Sequence, residues 1–255
     1  MSDSNNASDS TDFMNSDSRQ VAKRMLPTEL TSSDHIIQPG ESDRAPKFLV
    51  SPAGTGANRL MLTGVVTDTE DVGDDQACLR MRCTALSGGQ FNVYAGQYQK
   101  DARSVVQQLE APEFVQVIGK PNTLENDDGG VFTSIRPETV NVLSESEYFR
   151  LSAECAQHTV KRLTGEYGHE FFDEQAADLY DSDLTEDVYE AAVETLEEVA
   201  EKADYNSAEN KLSREELEDM EYDELRTLVK KFENVNGSAT ADTIIDALAD
   251  KPAPA

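Results

Sequence analysis

The chain has 255 residues, enough to bury a core in one large domain or in two small ones. A formal net charge of -28 with 38% hydrophobic residues places it at the polar edge of globular proteins, with room for disordered segments. No apolar run is long enough to span a membrane and no secretory segment follows Met1, so we expect an intracellular, cytoplasmic protein.

Acidic residues are distributed unevenly along the chain. Lys plus Arg against Asp plus Glu number 9 and 14 over residues 46–150, a net -5, but 9 and 28 over residues 151–255, a net -19. The acidity is consistent with an interaction tail for basic partners, or with adaptation to molar salt, where charge repulsion is screened over roughly 3 Å. Because the acidic residues are spread through predicted helices and loops and lysine is scarce, adaptation to molar salt, as in extreme halophiles, is the favoured interpretation.

The N-terminal 45 residues contain little that could be buried. Residues 1–18 are mostly Ser, Asp and Asn and are predicted to be disordered. Residues 19–30 predict a short amphipathic helix that Pro27 interrupts, and a linker follows to residue 45. A short strand is expected at residues 46–50.

Between Asn58 and Val142, apolar residues come in strand-length bursts separated by Gly, Asp and Asn, with one segment of helical spacing. Gly64, within the first burst, predicts a bulge or a tight bend. The pattern predicts five strands and one helix: Arg59–Asp68, Leu79–Cys83, Phe91–Ala95, the helix Lys100–Leu109, Phe114–Gly119 and Val131–Val142. This is the element order of an OB-fold, a five-stranded barrel that binds oligonucleotides, and we assign it to residues 46–145.

A helix directly after the barrel carries an apolar stripe. Its residues step by 4, 3, 4 and 3 and would share one face over residues 146–164: Phe149, Ala153, Ala156, Val160 and Leu163. The stripe could pack on its own barrel, or it could form a subunit interface by bundling with equivalent helices of other chains. The sequence supports these two interpretations about equally.

The rest of the chain is predicted to be helical, which makes the protein mainly a β-barrel followed by an acidic α-helical region. Residues 165–212 predict an acidic region with a helix from 185 to 203. Residues 213–255 predict a small helical domain of helix-turn-helix type with helices at 214–232 and 240–250, the first capped by Ser213 and Glu216. No basic recognition face is present, so a protein-docking module is the favoured interpretation.

The sequence contains no recognisable catalytic or metal-binding motif. Cys78, Cys83 and Cys155 lack CxxC spacing and are expected to be small buried residues rather than disulfide or zinc ligands. The histidines belong to no nucleophile or metal motif, and carboxylate pairs carry no information in so acidic a chain. We therefore expect a protein that is not an enzyme and needs no cofactor.

Nucleic-acid binding is better supported, because single-strand binders combine cations with aromatic stacking platforms. Period two in LRMRC places the two arginines opposite an apolar trio, and other candidates cluster around strands two, three and five. The candidate ssDNA-binding residues are Arg59, Arg80, Arg82, Tyr94, Tyr98, Lys100, Lys120, Phe132 and Arg136. Each could singly be an ordinary solvated or core residue, so the hypothesis depends on their clustering.

Several segments resemble a known family. They are VAKRM at Val21–Met25, RAPKFLVSPAGTGANR at Arg44–Arg59, VYAGQYQ at Val93–Gln99, VIGKP at Val117–Pro121 and SIRPETV at Ser134–Val140. On these residues the chain resembles the archaeal, particularly haloarchaeal, replication protein A-associated proteins, subunits of a replication protein A complex.

The resemblance implies an OB-fold subunit that partners a larger single-stranded-DNA-binding subunit in DNA replication, repair and recombination. The element order is also similar to that of the middle subunit of eukaryotic replication protein A, whose barrel precedes an assembly helix. That likeness implies a hetero-oligomer in which Phe149–Leu163 is the assembly helix. The alternative function is an interaction scaffold whose barrel binds protein and not DNA.

Overall fold

The computed structural model describes residues 19–40, 42, 45–74, 76–125, 130–166, 168–209, 214–229 and 240–248. The chain divides into two compact units, residues 1–199 and 200–255. Residues 1–18, predicted to be disordered, and the predicted cap Ser213 lie outside the described residues.

The first unit contains nine strands and four helices within its described residues, and a fifth helix spans the unit boundary. In chain order they are β1 (Lys23–Arg24), α1 (Pro27–Thr31), β2 (His35–Ile37), β3 (Phe48–Val50), β4 (Gly56–Ala57), β5 (Leu60–Asp71), β6 (Leu79–Thr84), β7 (Gln90–Ala95), α2 (Lys100–Val106), β8 (Glu113–Glu125), β9 (Val131–Val142), α3 (Glu145–Leu163), α4 (Glu170–Leu179) and α5 (Ser182–Glu209). The five strands and the helix predicted between Asn58 and Val142 are all present.

Five of these strands close into a barrel. The hydrogen-bonded order is β5-β6-β7-β9-β8, and β8 returns to pair with β5 from Leu60 to Val66. Among the pairings of these five strands, only β7–β9 is parallel, with Val93 opposite Ile135. This closure, with α2 between the third and fourth barrel strands, confirms the predicted OB-fold.

Inward-facing residues of every barrel strand form one core, as the period-two pattern predicted. Met81 and Cys83 of β6 are fully buried with Phe91 of β7. Of the two alternatives predicted at Gly64, the bulge was wrong in position, because Gly64 pairs regularly and the register shifts between Val66 and Asp68; the bend stays a prediction. A Cβ on Gly64 would lie 2.8 Å from the ring of Phe91, so the glycine makes room for that ring.

The predicted helix over residues 19–30 was wrong. The backbone N–H groups of Lys23 and Met25 donate to the carbonyls of Arg59 and Met61, so this segment forms β1 beside β5. Pro27 begins α1 rather than interrupting a helix, because proline at the first helical position has no hydrogen bond to lose. Pairing with a distant strand therefore overrode the local helical spacing.

A second, three-stranded sheet lies beside the barrel and is covered by α4. Strands β2, β3 and β4 pair antiparallel. Phe48 and Val50 of β3 pack against Phe172 and Ala176 of α4. The hydroxyl of Tyr180 donates to the carbonyl of Val50 at 2.8 Å, which fixes the end of α4 to the sheet.

Helix α3 packs on its own barrel, which was the first of the two interpretations of its apolar stripe. Leu151, Cys155 and Ala156 form a buried cluster with Met61 of β5 and with Ala192 of α5. The buried set also includes Tyr148, Ser152 and Thr159, so the packed face is rotated from the predicted stripe. Ser144 and Glu147 form a capping box at its N-terminus.

A buried carboxylate joins α1, the turn after β3, and α3. Glu29 is 0% exposed, and its Oε1 accepts hydrogen bonds from the hydroxyls of Ser51 at 2.7 Å and Thr55 at 2.8 Å. Its Oε2 accepts from the hydroxyl of Thr159 at 2.8 Å and from Nη2 of Arg162 at 2.7 Å. Four donors therefore compensate the charge, as a buried ion requires.

The second unit contains three short helices within its described residues: α6 (Arg214–Glu218), α7 (Tyr222–Val229) and α8 (Ala241–Leu248). Leu217, Leu225 and Ile244 are buried. The prediction of a single helix at 214–232 was wrong, because the first helix ends at Glu218 and a second begins at Tyr222. The side chain of Glu224 accepts a hydrogen bond from the N–H of Glu221 at the start of that second helix. No helix in the described part of the chain is long and apolar enough to cross a membrane.

We expect the three thiols to react unequally in the native protein. Burial raises the pKa of Cys83 and of Cys155 to about 12, whereas Cys78 is half-exposed, contrary to the expectation that all three are buried. Because the thiolate is the nucleophile, iodoacetamide at pH 8 should modify Cys78 roughly a hundredfold faster than the other two. Peptide mass spectrometry over time measures the three rates. Equal native-state labelling of Cys83 and Cys78 would contradict this prediction.

Candidate nucleic-acid interface

The outward side of three barrel strands forms a regular grid. The strand register aligns two rows across β5, β6 and β7. We call this grid the outer face; its rows are Asp68–Arg82–Asn92 and Glu70–Arg80–Tyr94. The structure therefore brings three of the predicted site residues, both arginines and Tyr94, onto one surface.

Carboxylates of β5 pair with the arginines of the outer face. Nη2 of Arg80 donates to Oε2 of Glu70 and lies 3.9 Å from Oδ2 of Asp68. Nη1 of Arg82 lies 3.9 Å from the same Asp68 oxygen. Sequence reasoning missed these partners, although acidic residues two apart before a turn and arginines two apart after it are the signal of such pairing.

Two buried polar atoms on the outer face have no hydrogen-bond partner among the described residues. They are Nε of Arg80, a donor, and Oδ1 of Asn92, an acceptor. Such atoms cost about 1–3 kcal/mol each when they are left unpaired. Asn92 was not predicted as a site residue, yet it lies two residues before Tyr94 on the same side of β7.

The loop between β7 and α2 presents an aromatic ring beside the outer face. Tyr98 is 85% exposed. The N–H of Gln99 donates to the carbonyl of Gly96 at 3.1 Å, and the side chain of Gln97 donates to that of Gln76 at 2.8 Å. These bonds hold the loop that carries Tyr98 in place. Lys100, which is exposed, begins the helix that follows.

The β8–β9 hairpin extends the surface with two cations. Lys120 and Arg136 are directly opposite each other, and neither forms an ion pair with any described carboxylate. Arg136 follows Ile135, the residue paired with Val93, so on parallel neighbouring strands Arg136 and Tyr94 share the outward side.

An apolar patch lies further along the same hairpin, towards its tip. Phe132 is directly opposite Leu124, and Val131 precedes it. On one face of the hairpin Leu124 is exposed and Phe132 is half-buried, whereas the exposed Val131 lies on the opposite face because neighbouring residues of a strand alternate. The predicted site residue Phe132 therefore belongs to a solvent-facing patch and not to the barrel core.

Arg59 is separated from the outer face. It immediately precedes β5, whereas the acidic residues of the outer face lie near the end of that strand. Its Nε donates to Oε2 of Glu138 at 2.5 Å, and Nη2 of Arg19 donates to the same oxygen at 2.6 Å. Burial alone would raise the pKa of Glu138, but the hydrogen bonds from the two arginines outweigh it and lower that pKa.

The residues predicted as a subunit interface are only partly available. Ala156 is buried within this chain, and Val160 packs against the same cluster. Phe149, Ala153 and Leu163 are half-buried. A partner subunit would therefore have to contact Phe149, Ala153 and Leu163, since Ala156 and Val160 already pack within this chain.

No protein-family model and no curated protein sequence matches the chain. Among solved structures, the S. pombe Stn1-Ten1 complex is similar with a TM-score of 0.40 at 11% identity, covering 63% of this chain and 100% of that chain. An OBody bound to hen egg-white lysozyme gives 0.33 at 14% identity, with 50% and 98% covered. The S. cerevisiae mitochondrial single-stranded DNA binding protein Rim1 gives 0.28 at 14% identity, with 34% and 94% covered. In architecture, this chain is a closed OB-fold barrel followed by helices.

Proposed function

We propose that the protein is a non-catalytic accessory subunit of a replication protein A-like complex, contacting single-stranded DNA through the outer face of its barrel. The observation that carries this proposal is the continuous surface of Arg80, Arg82, Tyr94, Arg136 and Lys120 beside the exposed ring of Tyr98. Cations that track a phosphate backbone next to aromatic platforms are what single-strand binding requires.

Single strands fit this surface better than duplexes because their bases are unstacked. The ring of Tyr98 is open to solvent and can stack on a base of any identity. The unpaired donor on Arg80 and the unpaired acceptor on Asn92 are further groups that a base edge could satisfy after a small side-chain shift. Lys100, Lys120 and Arg136 would contact phosphates.

The carboxylates of the outer face limit the affinity of the isolated chain. Asp68 and Glu70 hold the two arginines that would otherwise meet phosphates. A DNA strand must therefore compete with intramolecular ion pairs and approach two negative charges. We infer that the barrel contributes one section of a longer binding path, completed by a larger replication protein A subunit acting with it in replication, repair and recombination.

Neutralising those carboxylates tests the assignment directly. The double variant Asp68→Asn/Glu70→Gln should bind labelled oligo-dT about threefold to tenfold more tightly at moderate salt, because the arginines are released and two repulsive charges are removed. Fluorescence anisotropy measures the change. The matched control is Glu174→Gln/Asp178→Asn on α4, which removes the same two charges from an exposed helix. Equal affinity of both double variants would refute DNA contact at the outer face.

The second candidate function is a scaffold that assembles partners without contacting DNA. The observation that favours it is the apolar pair on one face of the β8–β9 hairpin, exposed Leu124 directly opposite half-buried Phe132, which a protein partner could cover. Photo-cross-linking to labelled oligonucleotide in a complex purified from high-salt lysate separates the two functions. Adducts at Tyr94, Tyr98 or Phe132 support direct contact, whereas a complex that binds DNA without them supports the scaffold.

A further inference from the structure

A cleft of about 430 Å³ lies in the first unit, away from the outer face. It is bounded by residues 20–24, by the turn between β3 and β4, and by the facing ends of α3 and α4. The cationic, imidazole and aromatic residues among those that line it are Lys23, Arg24, His158, Arg162, His169 and Phe172. This volume is within the usual range of small-molecule sites, roughly 300–1,000 Å³.

The described residues that line this cleft include no carboxylate, although the chain has 50 Asp and Glu residues. Three of the lining residues are Lys or Arg and two are His. By contrast, two other clefts of the same unit are lined by Asp173 and Asp181, and by a group of aspartates around Tyr180. Two carboxylates lie next to this lining, Glu154 beside Arg24 and Asp173 behind Gly54 and Gly168, but the lining itself carries cations, which attract a negative ligand.

Part of this positive charge remains available. Lys23 is exposed and has no ion pair with any described carboxylate. Arg24 is partly exposed and shares its one acidic partner, Glu154, with Arg150. Arg162 lies behind them and is compensated by the buried Glu29.

The potential of these cations is felt inside the cleft. Burial lowers the pKa of His158, and the nearby charges of Arg24, Arg162 and Lys161 lower it further. Burial is the larger cause, and Glu154 acts in the opposite direction to the three cations. An anion beside His158 would be stabilised by the same three cations.

The floor of the cleft is apolar and smooth. The rings of Phe48 and Phe172 lie 5.3 Å apart, and both residues are buried. Gly56 has no side chain at the point where a Cβ would lie 2.2 Å from the ring of Phe172. Val21, 80% exposed, adds an apolar group at the rim. A ligand suited to this cleft combines an anionic group with an apolar body.

We propose that this cleft is a second ligand site that binds a phosphate-bearing molecule of nucleotide size. Its phosphate would lie at Arg24, which faces α3, with the long side chain of Lys23 reaching it from the other side of β1, and its base would lie against the Phe172 floor beside Val21. A phosphate monoester presents several strong acceptor oxygens, so it can accept from both cations at once. The same chemistry is offered by a free nucleotide and by the phosphorylated end of a DNA strand. The proposal does not depend on DNA binding at the outer face.

The test uses the full-length protein and isothermal titration with dAMP, deoxyadenosine and inorganic phosphate. We expect dAMP to bind at least about tenfold more tightly than either part of the molecule alone. The Lys23→Gln/Arg24→Gln variant should lose at least about tenfold in dAMP affinity, and Val21→Glu should lose as much by placing a carboxylate at the rim. Val21 is so exposed that this change leaves folding intact, which circular dichroism checks. Arg103→Gln/Lys202→Gln, the matched control that removes two cations from α2 and α5, should bind dAMP normally.

Two further titrations distinguish the sources of the phosphate. If a strand end is the ligand, a 5′-phosphorylated oligo-dT should bind more tightly than its 5′-hydroxyl form, and Lys23→Gln/Arg24→Gln should abolish that difference. If the ligand is a free nucleotide, the Lys23→Gln/Arg24→Gln variant should lose affinity for dAMP, and the 5′-phosphate should make no difference to oligo-dT binding. Absence of both effects, or dAMP binding unchanged in the Lys23→Gln/Arg24→Gln and Val21→Glu variants, would overturn the proposal. None of these outcomes depends on the Asp68→Asn/Glu70→Gln result.

Discussion

Replacing Glu29 with alanine is expected to lower the free energy of unfolding by about 3–5 kcal/mol. The carboxylate is fully buried and satisfies Arg162, whose side chain is only 7% exposed, as well as three hydroxyl groups. Its removal leaves an uncompensated buried cation and empties the junction between α1, the turn after β3, and α3. Chemical denaturation with guanidinium, followed by circular dichroism, measures the loss.

The exposed pair Lys161–Glu166 at the end of the same helix provides the matched control. Their charged atoms lie 3.3 Å apart, and their side chains are 42% and 60% exposed. Glu166→Gln should therefore cost about 1 kcal/mol or less. The double variant Glu29→Leu/Arg162→Met should lose less unfolding free energy than Glu29→Leu and Arg162→Met lose together as single variants. The reason is that the double variant leaves no charge buried without a partner. A Glu29→Ala loss no larger than that of Glu166→Gln would show that the buried pair does not hold α3 to the barrel.

Tyr98→Ala and Tyr94→Ala are expected to weaken single-strand binding about fivefold to 150-fold in molar KCl, whereas Arg80→Ala weakens it less. Each lost base–aromatic stack costs about 1–3 kcal/mol, and stacking survives high salt. The contribution of Arg80 should be smaller because Glu70 and Asp68 already engage its guanidinium and because molar salt removes the counterion-release advantage of phosphate contacts. Fluorescence anisotropy with labelled oligo-dT measures all three variants.

Tyr189→Ala on α5 is the control for the loss of an exposed tyrosine elsewhere. It should leave the affinity unchanged. Tyr98 is the cleaner of the two test positions, since its ring is in solvent and its removal cannot disturb the barrel, whereas Tyr94 is half-buried. An Arg80→Ala loss equal to or larger than that of Tyr98→Ala in molar KCl would contradict a binding mode dominated by stacking.

The barrel was predictable because its signals are local. Alternation in LRMRC sends Met81 and Cys83 inward and the two arginines outward, and no distant residue is needed to see it. The helical spacing after Lys100 and the turn residues between strands are equally local. Together these features define five strands and a helix in the order that an OB-fold requires.

Local patterns failed where a distant strand competed for the same backbone groups. The helical spacing of residues 19–26 was overridden when the N–H of Lys23 found the carbonyl of Arg59. The packed face of α3 is rotated from the predicted apolar stripe, because Ser152 and Thr159 also lie in it and form hydrogen bonds with Thr63 and Glu29 that the apolar pattern does not reveal.

The order of the strands, the inward and outward sides of each, and the position of two arginines and a tyrosine on neighbouring strands can be read from the amino-acid sequence alone. What those residues contact depends on the three-dimensional fold. It placed Asp68 and Glu70 against the arginines, tied Arg59 to Glu138, buried Glu29 beside Arg162, and left Tyr98 open to solvent. The physical reason is that alternation is encoded residue by residue, whereas charge compensation depends on register and packing between segments far apart in the chain.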